Sequence, residues 1–218
     1  MPSLTNVYLP CAFAFENGIT IEGSTVFATL SSVDVGDLWK VYSEATGART
    51  LEERKEEDSR PPKPIVDQPM ILTSENDWDR MDRTIEVMNV SDNQYNGMEW
   101  TELDLSGFVN LRELKVGDEC FRNVKKVNIC GLKELESVYV GNKSFRRDGS
   151  IKGGSFSLKN CPKLKELKMG LCSFEDYAVC QIENMDALEV IEMGDLNEVS
   201  VNFYYASLEL KSILIHRE

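Results

Sequence analysis

A short pattern of apolar residues recurs along this chain and restricts its fold more than any other feature does. In the segment from Leu164 to Gly170, apolar residues stand at offsets 0, 3 and 5, and a glycine follows them. The same frame begins at seven further residues: Leu4, Leu30, Ile85, Leu111, Leu135, Leu188 and Leu210. In three of these frames another residue replaces the glycine, namely Pro10, Ser91 and His216. Neighbouring frames start 22 to 29 residues apart, except for one interval of 55 residues that holds either two units or one unit with an insertion.

A phenylalanine follows the glycine of three frames, four residues further along the chain. These phenylalanines, each preceded by a small residue, are Phe121 after Cys120, Phe145 after Ser144 and Phe174 after Ser173. Aromatic residues at repeat spacing are typical of a buried row rather than of a ligand-stacking site. We therefore expect the three rings to form a ladder in the core.

Ahead of the next frame come two apolar residues separated by one residue, and then a glycine or an asparagine. These pairs and their turn residues are Ile19/Ile21 with Gly23, Leu103/Leu105 with Gly107, Val127/Ile129 with Gly131, Phe156/Leu158 with Asn160, and Cys180/Ile182 with Asn184. Alternation with a period of two indicates short strands that bury one face. Glycine and asparagine both adopt positive φ at low cost, so we expect that conformation at these turns.

Each unit therefore consists of a strand, a turn with an aromatic plug, a second short strand and a second turn. A single unit cannot bury its apolar side, but stacked units share one continuous core. The predicted fold class is a repeat solenoid, mainly β, with short strands and turns and few helices. One short helix is expected from Ser74 to Met81, with Ser74 as its N-cap and with Trp78 and Met81 facing the core.

These motifs resemble those of the leucine-rich-repeat proteins, especially the irregular BspA-like class. The resemblance rests on a frame of the form LxxLxV-G-x-x-[CS]-F, which covers Leu111–Phe121, Leu135–Phe145 and Leu164–Phe174, and it extends over roughly residues 1–36 and 85–218. The asparagine that usually occupies the ninth position is missing, and this position holds Glu119, Lys143 or Cys172. The resemblance implies protein binding, often through the sheet face, and it implies no active site.

The rhythm of the frames divides the chain into three parts. Residues 1–40 are predicted to hold N-terminal leucine-rich-repeat units, and residues 69–218 are predicted to hold the main array; the pattern leaves open whether the first part stacks on the second. Residues 41–68 are charged, rich in proline at their end and poor in large apolar residues, which predicts a flexible insert. Neither end carries a recognisable polar capping unit, which favours a fragment of a longer array and self-association through uncapped ends.

Charge and hydropathy exclude some classes of partner. The chain has 218 residues and a formal net charge of −13, so we expect no binding to nucleic acid, whose phosphates it would repel. No stretch approaches 18 consecutive apolar residues and no signal peptide is recognisable, so we expect no membrane span. The chain as written is therefore predicted to be cytoplasmic.

No group of residues predicts catalysis, a cofactor or a metal site. The six cysteines form no CxxC pair, and the single histidine, His216, lies three residues from the end, so neither a zinc site nor a catalytic triad is expected. Free thiols are favoured over disulfides in a reducing compartment. Cys161 and Cys180 occupy apolar repeat positions and should be buried, whereas Cys130 and Cys172 should be more exposed.

The outward strand positions form the candidate partner-binding face. This face comprises Arg112, Lys115, Glu136, Tyr139, Lys165, Lys168, Glu189 and Glu192. Its charges are of mixed sign and it has a single aromatic residue, so it is either a weak polar binding surface or a solvated one.

The repeat and the missing catalytic groups together predict a non-enzymatic module that binds a protein partner of unknown identity through an extended surface. The alternative is a structural or surface-adhesin fragment of a longer array. An enzyme is disfavoured, because its only local support is the glycine-rich segment from Asp148 to Gly154. That segment lacks the spacing of a phosphate-binding loop and is predicted to be an insertion in a repeat loop.

Overall fold

The computed structural model describes residues 6–8, 19–22, 32–34, 69–146, 153–194, 200–204 and 206–211. Within these residues the chain forms fourteen short strands and one helix, α1, at Glu75–Arg80. The strands in chain order are β1 (Asn6–Tyr8), β2 (Ile19–Glu22), β3 (Ser32–Asp34), β4 (Met70–Leu72), β5 (Val87–Val90), β6 (Glu102–Asp104), β7 (Glu113–Val116), β8 (Lys126–Cys130), β9 (Ser137–Val140), β10 (Gly154–Lys159), β11 (Glu166–Met169), β12 (Tyr177–Glu183), β13 (Val190–Met193) and β14 (Ser207–Lys211). The predicted mainly β fold with few helices is confirmed for these residues. The predicted insert at residues 41–68 lies outside them.

The strands form two parallel sheets. The eight-stranded sheet has the order β3-β1-β13-β11-β9-β7-β5-β4, and the six-stranded sheet has the order β2-β14-β12-β10-β8-β6. From β5 to β14 the chain alternates between the sheets, so each passage adds one strand to each. Every pair of neighbouring strands is parallel and in register except for one shift, between Gly154 and Ser155 of β10.

The core fills the space between the two sheets. Strand β10 alternates strictly between buried and half-buried residues, and Leu114 and Val116 of β7 are buried while Lys115 between them is exposed. Both observations confirm the predicted alternation, because inward positions on a strand repeat every second residue. Each fully buried large apolar side chain contributes about 1.5–3 kcal/mol, which favours adding further strands to the stack.

A column of aromatic rings runs through the turns that follow the eight-stranded sheet. Tyr95, Phe121, Phe145, Phe174 and Phe203 are buried and stacked, with neighbouring ring centroids 4.6 to 5.1 Å apart and ring planes within 10° of each other. The predicted core ladder of three phenylalanines is therefore confirmed, and it has two further members. All five residues have φ between 50° and 58°, a left-handed backbone that costs about 1–2 kcal/mol per residue. Burial and stacking of the rings must offset this cost.

A column of hydrogen bonds runs beside the rings. The Asn142 backbone N–H donates to Oδ1 of Asp118 over 2.7 Å, and the Leu171 N–H donates to Oδ1 of Asn142 over 2.8 Å. Asp118 in turn bonds to Asp92 in the same way, over 2.8 Å. The side-chain ladder thus runs through Asp118 and Asn142, each directly after a frame glycine and one position before the site where the usual asparagine is missing.

This column explains the frame glycines. A Cβ atom at Gly117, Gly141 or Gly170 would lie 2.4 to 2.6 Å from the ladder oxygen of the preceding turn. Non-bonded atoms cannot approach so closely, so these positions exclude any side chain. The glycine is needed for space, and none of the three has a positive φ.

The second set of turns confirms most of the expected backbone. Gly131, Asn160 and Asn184 have φ of 73°, 56° and 56°, as the shared use of glycine and asparagine predicts. The same pattern predicts a positive φ at Gly107, but its φ is not positive. The chain at Gly107 closes its turn without a left-handed residue, since the Phe108 N–H donates to the Leu105 carbonyl over 3.0 Å.

Helix α1 covers the apolar interior beside β4. Met81 is buried, and Trp78 packs edge-to-face against Tyr95 and Trp100, with ring centroids 6.0 and 5.3 Å apart. The Asp77 carboxylate accepts bonds from the backbone N–H groups of Thr73 and Ser74, and the first of these bonds is the main cause that lowers the pKa of Asp77. The predicted short helix with Ser74 as N-cap is therefore confirmed.

Two frames differ from expectation. The sequence pattern predicts Leu210 as the first residue of a last frame, but it lies in β14 as the Cα partner of Ile182 and of Ile21, so it belongs to an alternating pair. Ile213, Ile215 and His216, which would complete that frame, lie outside the described residues. The sequence pattern does not predict strand β4, because Asp67 stands where the frame has its first apolar residue.

The expected uncapped last strand is also corrected. Strand β14 pairs with β12 on one side and with β2 on the other, and β13 pairs with β11 and with β1. The N-terminal strands therefore extend both sheets beyond the C-terminal ones. Val7 and Val33, which hold the same position in their frames as Ile191, are in register with it, which answers the question that the sequence pattern leaves open.

Candidate interaction face

The eight residues of the predicted face lie together on the outer side of the eight-stranded sheet. Lys115 is the Cα partner of Tyr139, Tyr139 of Lys168, and Lys168 of Glu192. Neighbouring strands lie about 4.8 Å apart, so these four side chains form one straight row across the sheet. We call it the central row.

A second row consists of the residues that immediately precede the same strands. Backbone N–H groups of Glu136, Lys165 and Glu189 donate to the carbonyls of Arg112, Glu136 and Lys165 over 2.7, 2.8 and 2.9 Å. The Arg112 N–H donates to the Glu86 carbonyl over 2.7 Å, which extends this leading row by one residue. Its charges alternate strictly in sign from Glu86 to Glu189.

Ion pairs within the protein neutralise much of this charge. Arg112 pairs with Glu136 over 3.1 Å and with Glu86 over 3.5 Å, and the hydrogen bond from Arg112 to Glu136 is the main cause that raises the pKa of the guanidinium. Lys115 pairs with Glu113, and Lys168 lies 3.8 Å from Glu192. Exposed pairs of this kind contribute about 0–1 kcal/mol each, so they organise the face more than they stabilise the fold.

Tyr139 is the exposed aromatic residue of the central row. Its exposed fraction is 44%, and it lies between Lys115 and Lys168 on the neighbouring strands. Sequence reasoning missed Ile71, which is 55% exposed and aligns with Asn89 and then with Lys115. The signal was present in the alternation of Met70, Ile71 and Leu72, but the missing frame leucine concealed it.

The outer side of the six-stranded sheet has a different character. Its middle row consists of Asp104, Asn128, Ser157 and Gln181, which are successive Cα partners. Asn128 Nδ2 donates to Asp104 Oδ1 over 3.1 Å. This row has no aromatic side chain and provides a control surface on the same molecule.

The described residues hold no group of three or more His, Cys, Asp or Glu that could bind a metal ion. Their five cysteines are free, with Cys161 and Cys180 buried as predicted and Cys130 and Cys172 half-buried. Burial raises the pKa of both Cys120 and Cys161 to about 11, so these thiols stay protonated near neutral pH. Most of the glycine-rich segment, residues 148–152, lies outside the described residues.

The described part of the chain contains one helix, of six residues, and no helix there is long and apolar enough to cross a bilayer. Comparison of the chain with protein-family models, with curated proteins and with solved structures found no match.

Proposed function

We propose that this protein is a leucine-rich-repeat-like solenoid of the irregular BspA-like class, and that it acts as a non-catalytic module that binds a protein partner. The binding surface is the outer face of the eight-stranded sheet. The observation that carries the proposal is the central row, in which exposed Tyr139 stands between two lysines on neighbouring strands. Tyrosine is enriched among the residues that dominate binding energy, because it is rigid and combines an apolar ring with a polar tip.

The area of the face limits how tightly a partner can bind to it alone. From β4 to β13 the sheet spans five strand intervals, or about 24 Å, and four residues of strand span about 13 Å. The projected area is therefore on the order of 300 Å², below the roughly 800 Å² per partner of a standard interface. The partner either contacts the adjacent turns as well or binds weakly and transiently.

The charge of the face indicates which kind of partner surface it can bind. The face carries more carboxylates than cations, namely Glu86, Glu113, Glu136, Glu166, Glu189 and Glu192 against Arg112, Lys115, Lys165 and Lys168. With a net charge of −13 on the whole chain, this favours a partner with a basic surface and disfavours nucleic acid. The free thiols of the described residues favour a reducing compartment, in keeping with the cytoplasmic location predicted for the chain as written.

Site-specific photo-crosslinking tests the proposal. A photoreactive phenylalanine analogue is placed at Tyr139, and the matched control carries it at Ser157 on the opposite sheet. We expect ultraviolet irradiation in an extract of the source cells to give one discrete adduct from position 139 and none from position 157. Equal adducts from both positions, or none from either, would contradict the proposal.

Once the partner is identified, substitution of Tyr139 measures how much its ring contributes to the binding affinity. We expect Tyr139→Ala to weaken binding by roughly 30-fold, since truncating a central aromatic residue costs about 2 kcal/mol. Tyr204→Ala is the matched control, because Tyr204 is similarly exposed but lies outside the face. An equal loss in both variants would count against a specific role of the face.

A second candidate function is structural display, as a spacer or adhesin-like fragment within a longer array. The internal ion pairs of Arg112 and Lys168 favour it, because charges already satisfied within a surface offer less to a partner. This candidate predicts no adduct from position 139 in the same extract.

A further inference from the structure

The order of strands in space differs from their order in the chain. In the eight-stranded sheet, β13 is followed by β1 and then by β3, and in the six-stranded sheet β14 is followed by β2. The edge formed by the last C-terminal strands is thus occupied by a segment from the other end of the sequence. No short connection along the chain makes these strands neighbours, and they join the sheets by parallel pairing in register.

The N-terminal segment matches this edge in direction, in alternation and in register. It runs parallel to its neighbours and passes from the eight-stranded sheet to the six-stranded one and back, as the main part of the chain does. Val7 aligns with Ile191, and Ile19 and Ile21 align with Leu208 and Leu210. The edge of β13 and β14 therefore accepts a defined ligand, three short parallel strands in these registers.

The chain connection does not determine which molecule supplies that segment. Strands β3 and β4 lie at opposite edges of the eight-stranded sheet, seven intervals or about 34 Å apart. Residues 35–69 join them, and a chain of this length can reach up to about 115 Å. The connection is thus long enough for the segment to add to its own sheet or to that of a neighbouring molecule.

We propose that the edge of β13 and β14 is a strand-binding site that takes strands β1, β2 and β3 of a second copy of this chain in exchange for its own. The contacts at the edge are the same in both arrangements, as in domain swapping. The intramolecular arrangement benefits from an effective concentration on the order of millimolar. Exchange is therefore expected to populate dimers as the protein concentration approaches that range. This inference does not rest on the proposed function, since it involves neither Tyr139 nor the central row.

Cysteine pairs in the full chain test the proposal. Tyr8 and Glu192 are Cα partners on neighbouring strands, at a spacing of about 4.8 Å that a disulfide can bridge. Tyr8→Cys combined with Glu192→Cys in one chain reports the pairing itself. Tyr8→Cys and Glu192→Cys in two separate, co-expressed chains report exchange. Lys168→Cys in place of Glu192→Cys is the matched control, because it lies one strand further away, at about 9.6 Å.

We expect the double variant to form a disulfide within one chain at micromolar concentration. The two single variants should form a disulfide between chains, identified by mass spectrometry of the linked peptides, with a yield that rises towards millimolar concentration. A double variant that closes while the single variants never link would overturn the exchange. A double variant that fails to close would overturn the pairing, and so would equal linking of the Lys168→Cys control.

Discussion

Two regions of the eight-stranded sheet, the turns that follow its strands and its outer face, are built from neighbouring residues but are organised in opposite ways. On the turn side, formed by residues 91–95, 117–121, 141–145 and 170–174, buried rings and ladder oxygens bind each turn to the next. On the outer face, partly exposed side chains pair across the strands over 3.1 to 3.8 Å.

The difference lies in what surrounds the contacts. When one side chain of a buried contact is removed, apolar burial is lost and the polar groups that it satisfied are left without partners. An exposed ion pair loses little, because water and salt replace it. The turn side should therefore determine stability, and the outer face should be free to vary for binding. Four substitutions test this division.

The largest loss is expected from the centre of the aromatic column. Phe145→Ala removes a buried ring that stacks on Phe121 and Phe174, with centroids 5.1 and 4.6 Å away. We expect the free energy of unfolding to fall by about 3–5 kcal/mol in urea titrations followed by circular dichroism. Tyr139→Ala on the outer face is the control and should change it by less than about 0.5 kcal/mol. Similar losses in the two variants would abolish the distinction between the two sides.

A smaller loss is expected from a frame glycine. In Gly141→Ala the new Cβ would lie 2.4 Å from Asp118 Oδ1 and 2.5 Å from the carbonyl carbon of Gly117. Overpacking against backbone that cannot move away should cost close to the upper end of about 1–3 kcal/mol in the same titration. Gly107→Ala is the matched control, because nothing lies within 4 Å of its Cβ position, and it should be neutral. A neutral Gly141→Ala would mean that the ladder relaxes freely.

The hydrogen-bond ladder should contribute less than the rings. Asp118→Ala leaves the Asn142 N–H without its acceptor, and we expect a loss of about 1.5 kcal/mol. Asp118→Asn keeps an acceptor oxygen, as Asn142 does for Leu171, and should restore most of this stability. If the two variants were equally unstable, the charge of Asp118 would matter more than the bond, which would sharpen the account of the turn side.

The smallest change is expected on the outer face. Arg112→Ala removes the ion pairs with Glu136 and Glu86, and at low salt it should lower the midpoint of urea unfolding less than any of the three substitutions above. Because salt screens exposed charges, the difference from the unmodified protein should shrink further in 1 M sodium chloride, at a screening length of about 3 Å. A loss of stability as large as that of Asp118→Ala, persisting in salt, would place Arg112 among the structural residues.

The sequence predicted the elements that follow from residue spacing. The prediction failed where a unit departs from that spacing or where one residue fits two patterns. Phe121, Phe145 and Phe174 were predicted as a column because they share a frame. Tyr95 and Phe203 occupy the same column but break the pattern, since Ser91 replaces the glycine before Tyr95 and Phe203 follows Gly194 by nine residues instead of four. Leu210 fits both an apolar frame and an alternating pair, and only its register with Ile182 decides between them.

The outer face could be located but not characterised from sequence. Alternation along each strand places Lys115, Tyr139 and Lys168 outside, since their neighbours are apolar. It does not say that they stand side by side, because that depends on the register of three strands separated by loops of different length. The ion pairs follow from the same register, so they too require the folded sheet.

The sequence by itself determined the short strands, their buried sides, the aromatic plugs and the capped helix α1. Each of these depends on residues close together in the chain, through periodicity, steric preference or local hydrogen bonding. Only the tertiary structure decided that β1 and β2 follow β13 and β14. A parallel ladder is made of backbone groups that every residue carries, so its stability depends on direction and register and not on which part of the chain supplies the strand.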